Sequence, residues 1–412
     1  MKKVDWILAV SLCGLLIIGF LSVYSASYNW TTPLWKKQVI WIILGLLGMI
    51  ASSFINLHTL KRNSLLIYIS SLLLLIAVLF MPPTRNIHAW FTIGGISFQP
   101  SELAKLAVII MLAGCLCDKD EMDSRSLILP TSIICGIPTL LIISQPDIGT
   151  SLSFISIFFV MLYLAPIKKI PFLSLLVLIG TGGICLLVFS LLKFEYGLSS
   201  SLVLLSLTSI ITFLFIIFAS LVYFTRNKKV WFLFIVSVFA VFLSLSASCV
   251  LKPYQEKRLI VFLKPSIDPL GAGYNITQSK IAIGGGGLKG MGFLKGAQSH
   301  LGFLPERRTD FIFSVWAEEF GFVGSITLLF FYGLLVFRGL EIAEKASDKF
   351  SRLLGAGIST MIAISLFINV GITLSILPAT GIPLPFVSYG GSSLLINMTG
   401  VGLLLAIKRK KN

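Results

Sequence analysis

Charge is scarce in this sequence, and acidic charge scarcer than basic. Seventeen Asp and Glu stand against 33 Lys and Arg in 412 residues, and charged residues make up only 12% of the chain. A soluble domain carries about 25%, so that class is excluded. Only three histidines occur, His58, His88 and His300, and they have no metal-ligand spacing. Six cysteines (Cys13, Cys115, Cys117, Cys135, Cys185 and Cys249) fall within or at the ends of apolar runs. Small buried hydrophobes sit in such places, and the pattern indicates neither a disulfide framework nor a metal centre.

What fills the chain instead is apolar sequence, at 56% of residues. Spans long enough for a membrane helix fall at roughly 6–26, 38–56, 64–81, 101–117, 127–144, 150–166, 171–192, 199–224, 230–251, 311–337, 353–377 and 389–407. The expected fold class is therefore an all-α polytopic membrane protein with about twelve transmembrane helices, forming a single domain over 1–412. The first run, from Trp6 to Ala26, has a basic start like a signal peptide but is too long for one, so it reads as a retained span.

The net charge of +16 lies mostly in short clusters between spans, an orientation signal rather than a nucleic-acid footprint. Lys2/Lys3, Lys61/Arg62, Lys119/Arg125, Lys168/Lys169, Arg226/Lys228/Lys229, Arg338/Lys345/Lys349/Arg352 and Lys408 to Lys411 fall on alternate connections. Both termini are therefore expected in the cytoplasm. One long external loop, 252–310, also carries many Lys and Arg, and its charge suits an anionic partner.

The informative acids lie beside external segments. In RNIHAWFTIGGISFQPSELAK, Ser101 and Glu102 make a good helix start, Trp90 suits an interfacial anchor, and Lys105 lies a turn inside an apolar span, where Glu102 at i−3 can partner it. In QPDIGT, Asp147 sits on a turn and can cap the next helix. The glycine-rich stretch 284–290 formally satisfies GxGxxG but lacks a βαβ context, so a dinucleotide reading is rejected. With Lys280, Lys289 and Lys295 nearby, it could wrap a diphosphate through backbone amides; plain loop flexibility is the rival.

The densest patch is FLPERRTDFIFSVWAEEFGF. Thr309 and Asp310 stand where a helix cap would, beside Arg307 and Arg308. Glu318 and Glu319 lie about two turns further in, where each would cost on the order of 2.5–3.5 kcal/mol facing lipid at mid-bilayer. They must face protein or a polar cavity, and Glu318 at i+8 from Asp310 could share one with it. PATGIPLPFVSYGGSS, which includes Ser388, places prolines and glycines at membrane depth, tolerable only where the backbone is buried in protein or lines a wet cavity.

At FQPSELAK, QPDIGT, DPLGAGYNITQSKIAIGGGGLKG, FLPERRTDFIFSVWAEEFGF and GIPLPFVSYGGSS, in that order, the chain resembles the RodA/FtsW (SEDS) family of cell-wall polymerases, with GAQSHLGFLPE closer to the elongation type. The resemblance implies a peptidoglycan glycosyltransferase that polymerises lipid II on the external face of the bacterial cytoplasmic membrane. It places the essential aspartate on Asp310 and supporting roles on Trp90, Glu102 and Lys105. Two positions depart from it: Arg308 stands where a His is usual before Thr-Asp, and Ala89 where an Arg often precedes the Trp. The family core has ten spans, so an extra pair is expected near 171–229. Implied partners are a class B penicillin-binding protein and other membrane proteins of the elongation complex. No cofactor is indicated, a divalent cation being the alternative source of positive charge. The rival functions are a lipid II flippase, a division-type polymerase and a noncatalytic scaffold.

Overall fold

The computed structural model describes residues 5–28, 34–82, 89–93, 96–117, 124–165, 261–262, 268 and 271–411. The chain divides into two compact units, residues 1–166 with 275–412, and residues 167–274. The expected spans 171–192, 199–224 and 230–251, including the extra pair near 171–229, lie outside the described residues.

The first unit is a helix bundle. Its helices are α1 (Trp6–Ser27), α2 (Leu34–Ser53), the short α3 (Leu57–Arg62), α4 (Ser64–Ala77), α5 (Pro100–Cys117), α6 (Ser124–Ser144) and α7 (Ile148–Leu164), followed by α8 (Ala272–Gly286), the short α9 (Ala297–His300), α10 (Ile312–Glu344), α11 (Lys349–Thr373) and α12 (Gly391–Lys411). Among the described residues, six helices are long and apolar enough to cross a membrane: α1, α2, α5, α10, α11 and α12. A two-stranded antiparallel hairpin, β1 (Phe91–Ile93) and β2 (Ile96–Phe98), pairs Phe91 with Phe98 just before α5. Nine of the expected spans coincide with helices. The long stretch 252–310 is not all loop, because it contains α8 and α9.

The bundle is ordered from its centre outward. α5 and α11 are buried along most of their length, whereas α2 presents Ile40, Ile43, Leu47 and Ile50 outward. α1 and α11 pack on α10, and α2 packs on α12. Helix starts use the scarce aspartates: Asp5 accepts from Leu8 N, Asp147 from Thr150 N and Asp348 from Ser351 N. Ser101, expected to cap α5, instead lies inside its first turn. Pro100 takes the first helical position, where a missing N–H costs nothing.

α10 breaks at Gly321, whose φ of 63° and ψ of −158° suit only glycine. A break at this depth frees backbone groups that hydrocarbon cannot satisfy. The segment following α8 satisfies them. Met291 N donates to Glu318 O at 3.0 Å and Gly292 N to Glu319 O at 2.9 Å, while Phe322 N and Val323 N donate to the carbonyls of Gly287 and Leu288. Gly290 lies so close that an added Cβ would come within 2.1 Å of Glu319 O. The glycine-rich stretch is therefore part helix and part splint, and its amides at 290–292 are already engaged within the fold rather than offered to a diphosphate.

At the far end of α10 the two ends of the described chain meet. Asp5 accepts from Arg338 Nε at 2.9 Å and from Lys408 Nζ at 2.9 Å, joining α1, α10 and α12. Burial alone would push the Asp5 carboxyl up, but hydrogen bonds from Lys408 and Arg338 outweigh it and hold the group below its ordinary 3.8. A carboxyl lowered on folding contributes stability above its unfolded value and loses it as pH falls through the folded one. The melting temperature in detergent should therefore drop on acidification below about pH 4. Asp5→Asn should lose on the order of 2 kcal/mol at neutral pH and show a shallower acid drop. An unchanged acid profile in that variant would remove this clamp from the account.

Candidate active site

The turn 305–311 precedes α10 and carries Asp310 half-buried at its end. Phe311, not Thr309 or Asp310, holds the N-cap position of α10. The turn is closed by Thr309 N and Phe311 N donating to Glu306 O. Two further bonds fix it against the segment 378–390. Ser388 Oγ donates to Thr309 O at 2.6 Å while accepting from Leu384 N at 2.7 Å, and Tyr389 N donates to Arg308 O at 2.9 Å. Asn369, fully buried in α11, donates through one Nδ2 to Asp310 O at 2.9 Å and to Ile382 O at 2.8 Å.

The carboxylate faces Gly381. A Cβ there would sit 3.5 Å from Asp310 Oδ2, and the φ of 79° independently requires glycine. From beneath, Tyr332 of α10 donates to Pro385 O. The carbonyl of Phe386, whose own φ is 65°, lies against Gly19 of α1. The proline-rich segment thus keeps its irregular backbone by burial against α1, α10 and α11.

A second cluster adjoins the same wall. Lys105 Nζ pairs with Glu102 Oε1 at 2.8 Å, both nearly inaccessible. Asp147 caps α7, takes Thr150 Oγ1 at 2.7 Å and accepts from Gln99 Nε2 at 3.1 Å. Burial pushes the Asp147 carboxyl up; bonds from Thr150 oppose this, the Glu102 charge adds to it and the Lys105 charge opposes it. Gln99 N donates to Ser392 Oγ, which donates to Ser97 O, tying the hairpin to the first turn of α12. An added Cβ on Gly149 would meet Thr380 O at 2.4 Å, so the start of α7 lies directly against the segment that faces Asp310. Glu102 Oε2 and Thr380 Oγ1 are buried without a hydrogen-bond partner among the described residues.

The structure therefore brings Asp310, Arg308 and Ser388 together and sets Glu102, Lys105 and Asp147 on an adjoining wall. Trp90 is half-buried at the start of the hairpin. The other residues singled out in the sequence lie elsewhere. Arg307 is buried, its Nε donating to Ala26 O at the end of α1; burial and the Arg308 charge hold its pKa below the usual value. Lys280 is exposed on α8, and Lys289 lines a cavity of about 530 Å³ with Trp316 and Phe320 beside the kink. Glu318 does not open into a cavity shared with Asp310: its two oxygens accept from Gln298 N and Ser299 N of α9. Glu319 accepts from Ser25 Oγ and meets His300 Nε2 at 3.1 Å. Among the described residues, no three His, Cys, Asp or Glu side chains converge as a metal would need. Sequence reasoning missed Asn369 and Gln99. Asn369 had a signal, a lone carboxamide inside an apolar span.

This arrangement can be set beside known proteins. The model of the FtsW, RodA and SpoVE cell cycle proteins matches residues 4–203 and 198–412. The chain belongs to that family. It is 35% identical to the peptidoglycan glycosyltransferase RodA of Treponema pallidum, over 99% of this chain and 98% of that one. Identity to the peptidoglycan glycosyltransferase MrdB of Escherichia coli K12 is also 35%, over 95% of this chain and 92% of the other. The fold superposes on a chain from a peptidoglycan synthase complex with a TM-score of 0.71 and 27% identity, covering 100% of this chain and 99% of that one. With its apolar helices, this member of the family is an integral inner-membrane protein.

Asn369→Leu keeps the volume but leaves the carbonyls of Asp310 and Ile382 without their donor. It should cost about 1–3 kcal/mol and lower activity more than the same loss of stability produced by Asp5→Asn. Melting curves and turnover of both variants provide the check; equal activity at equal stability would mean that Asn369 does not position the Asp310 turn.

Proposed function

We propose that this chain is a peptidoglycan glycosyltransferase that polymerises lipid II into glycan strands during cell elongation. The observation that carries the reading is the half-buried Asp310, on a turn whose backbone carbonyls Asn369 and Ser388 fix at one end of a membrane bundle whose relatives bear that enzyme's name. Basic clusters on alternate connections argue for cytoplasmic termini and for Asp310 on the external face. There the diphosphate of a membrane-anchored lipid lies at head-group level while its tail stays in the bilayer.

In this mechanism the Asp310 carboxylate takes the proton from the 4-hydroxyl of the acceptor sugar. The oxygen then attacks the anomeric carbon of the donor, and the bond to the lipid diphosphate breaks with its electron pair on the departing phosphate. A carboxylate base serves the first half, and a cation must meet the charge that develops in the second. Arg308, two residues away with its backbone pinned by Tyr389, is the candidate. Lys105, considered from the sequence, is already neutralised by Glu102. Glu102 and Asp147 support the wall that faces Asp310. A class B penicillin-binding protein and other elongation proteins are the proposed partners, supported by the likeness to a chain of a peptidoglycan synthase complex.

Purified Asp310→Asn supplied with labelled lipid II should form polymer about 10²- to 10⁴-fold more slowly while melting like the parent chain. Gel separation of the products measures this. Near-normal polymer from the folded variant would remove Asp310 from the chemistry, and lipid translocation without chain lengthening by the parent chain would indicate a flippase.

A further inference from the structure

The cavity of about 530 Å³ beside the break in α10 takes no part in the chemistry proposed at Asp310. Trp316, Phe320, Val323, Gly324 and Thr327 of α10 line it, together with Lys289 of the segment after α8. The rings of Trp316 and Phe320 stack with centroids 4.0 Å apart, and Trp316 Nε1 donates to Gly324 O at 2.8 Å, so the indole is a fixed part of the wall. Val323 and Thr327 are exposed, and the Thr327 hydroxyl turns back to Val323 O at 2.9 Å. The wall offered to a ligand is therefore mostly apolar. Lys289 is also exposed, and it makes no hydrogen bond or ion pair with the described residues. Its backbone is nevertheless pinned, because Val323 N donates to Leu288 O on one side of it and Met291 N donates to Glu318 O on the other. An unpaired ammonium on a fixed backbone beside an apolar cavity suits an anion that carries an apolar chain.

Depth narrows the class. The polar clamp of Arg338 with Asp5 marks one edge of the bilayer core. Val323 lies about 22 Å of helix rise before Arg338, against a core of about 30 Å. The cavity is therefore in the far part of the core, and the stem of Lys289 can carry its charge to the boundary where lipid phosphates lie. Asp310 stands further out, since Ile312 at the start of α10 is about 15 Å of rise beyond Phe322. In the proposed transfer the donor's anomeric carbon is bonded to its diphosphate, whereas the acceptor's 4-hydroxyl is a disaccharide away from its own. Arg308, close to Asp310, has the position the donor needs. Lys289 has the separation the acceptor needs.

We propose that this cavity holds the acceptor lipid. Lys289 pairs with the acceptor's diphosphate, and the isoprenoid chain lies against Trp316, Phe320, Val323 and Thr327. This rests on the polymerase reading and adds to it a place for the second lipid substrate. The segment that repairs the break in α10 then has a second use, because it also carries the lysine.

The test measures polymer formed from lipid II by the full chain in nanodiscs, and labelling of the same chain by a photoreactive polyprenyl diphosphate that bears no sugar. Lys289→Gln should raise the KM for lipid II about tenfold, the worth of one charge-assisted hydrogen bond, with kcat unchanged, and Lys289→Arg should restore it. Thr327→Phe, which fills the apolar part, should raise KM and abolish labelling at the cavity. Lys295→Gln, which removes the same charge from the same segment outside the cavity, should change neither. Unlabelled polyprenyl diphosphate should displace the label, whereas inorganic pyrophosphate and phosphatidylglycerol at the same concentration should not. Unchanged KM in Lys289→Gln or Thr327→Phe, with a parent chain that polymerises, overturns this inference and leaves the polymerase reading standing. An equal rise in Lys295→Gln also overturns it, reducing the effect to surface charge. Displacement by pyrophosphate or by phosphatidylglycerol overturns it in favour of a soluble anion or a general phospholipid. A folded parent chain that forms no polymer overturns the polymerase reading, and the acceptor role with it, whatever the label shows.

Discussion

Hydrocarbon cannot satisfy a polar group, and among the described residues this constraint governs where the buried acids and the irregular segments beside Asp310 sit. Acidic residues are few, and several of those in the described residues have a definite structural place. Asp5 clamps the ends of α1, α10 and α12, and Asp147 and Asp348 cap α7 and α11. Glu102 neutralises Lys105, while Glu318 and Glu319 hold α9 and His300 against α10. Asp310 differs from them in setting. It stands half-buried at the end of a turn whose backbone carbonyls are held by Asn369 and Ser388.

The same constraint links the break in α10 to the site. Gly321 interrupts the helix, and the freed groups pair with 287–292 as a short ladder instead of meeting lipid. That pairing brings the chain from α8 back along α10 and delivers it, through α9, to the turn 305–311. Segment 378–390 is the other irregular piece, and Asn369, Ser388 and Tyr332 supply its partners. Two non-helical segments, each stabilised by burial in protein, thus meet at Asp310. Glycosyl transfer from a lipid needs such a place: polar enough for sugars, close enough to the bilayer for the lipid tail.

Much of this was legible in the sequence, and the limits have physical causes. Hydropathy located the described spans because burying apolar surface is a property of each segment by itself. The ends were less clear. α10 runs past Phe337 to Glu344 and α12 runs on to Lys411, because Arg338, Lys408 and Lys410 find Asp5 and Asp348, partners distant in sequence. The proline-rich segment was legible as non-helical from composition. The glycine-rich stretch misled, since the same residues serve an anion cradle or a close backbone splint, and only Glu318 and Glu319 opposite Gly290 distinguish the two. Asn369 shows the remaining gap: its presence in an apolar span was visible, but the two carbonyls it joins lie 59 and 13 residues away.

The central claim is that the Asp310 carboxylate acts as the base in lengthening a glycan from lipid II. The most direct test is the rate of polymer formation as a function of pH, with the folded parent chain and Asp310→Asn measured side by side under saturating lipid II. The account predicts that the parent loses activity on the acid side with the ionisation of one group, and that the small residual activity of Asp310→Asn lacks this acid limb. An acid limb of the same midpoint in the variant would contradict it and assign the base to another residue.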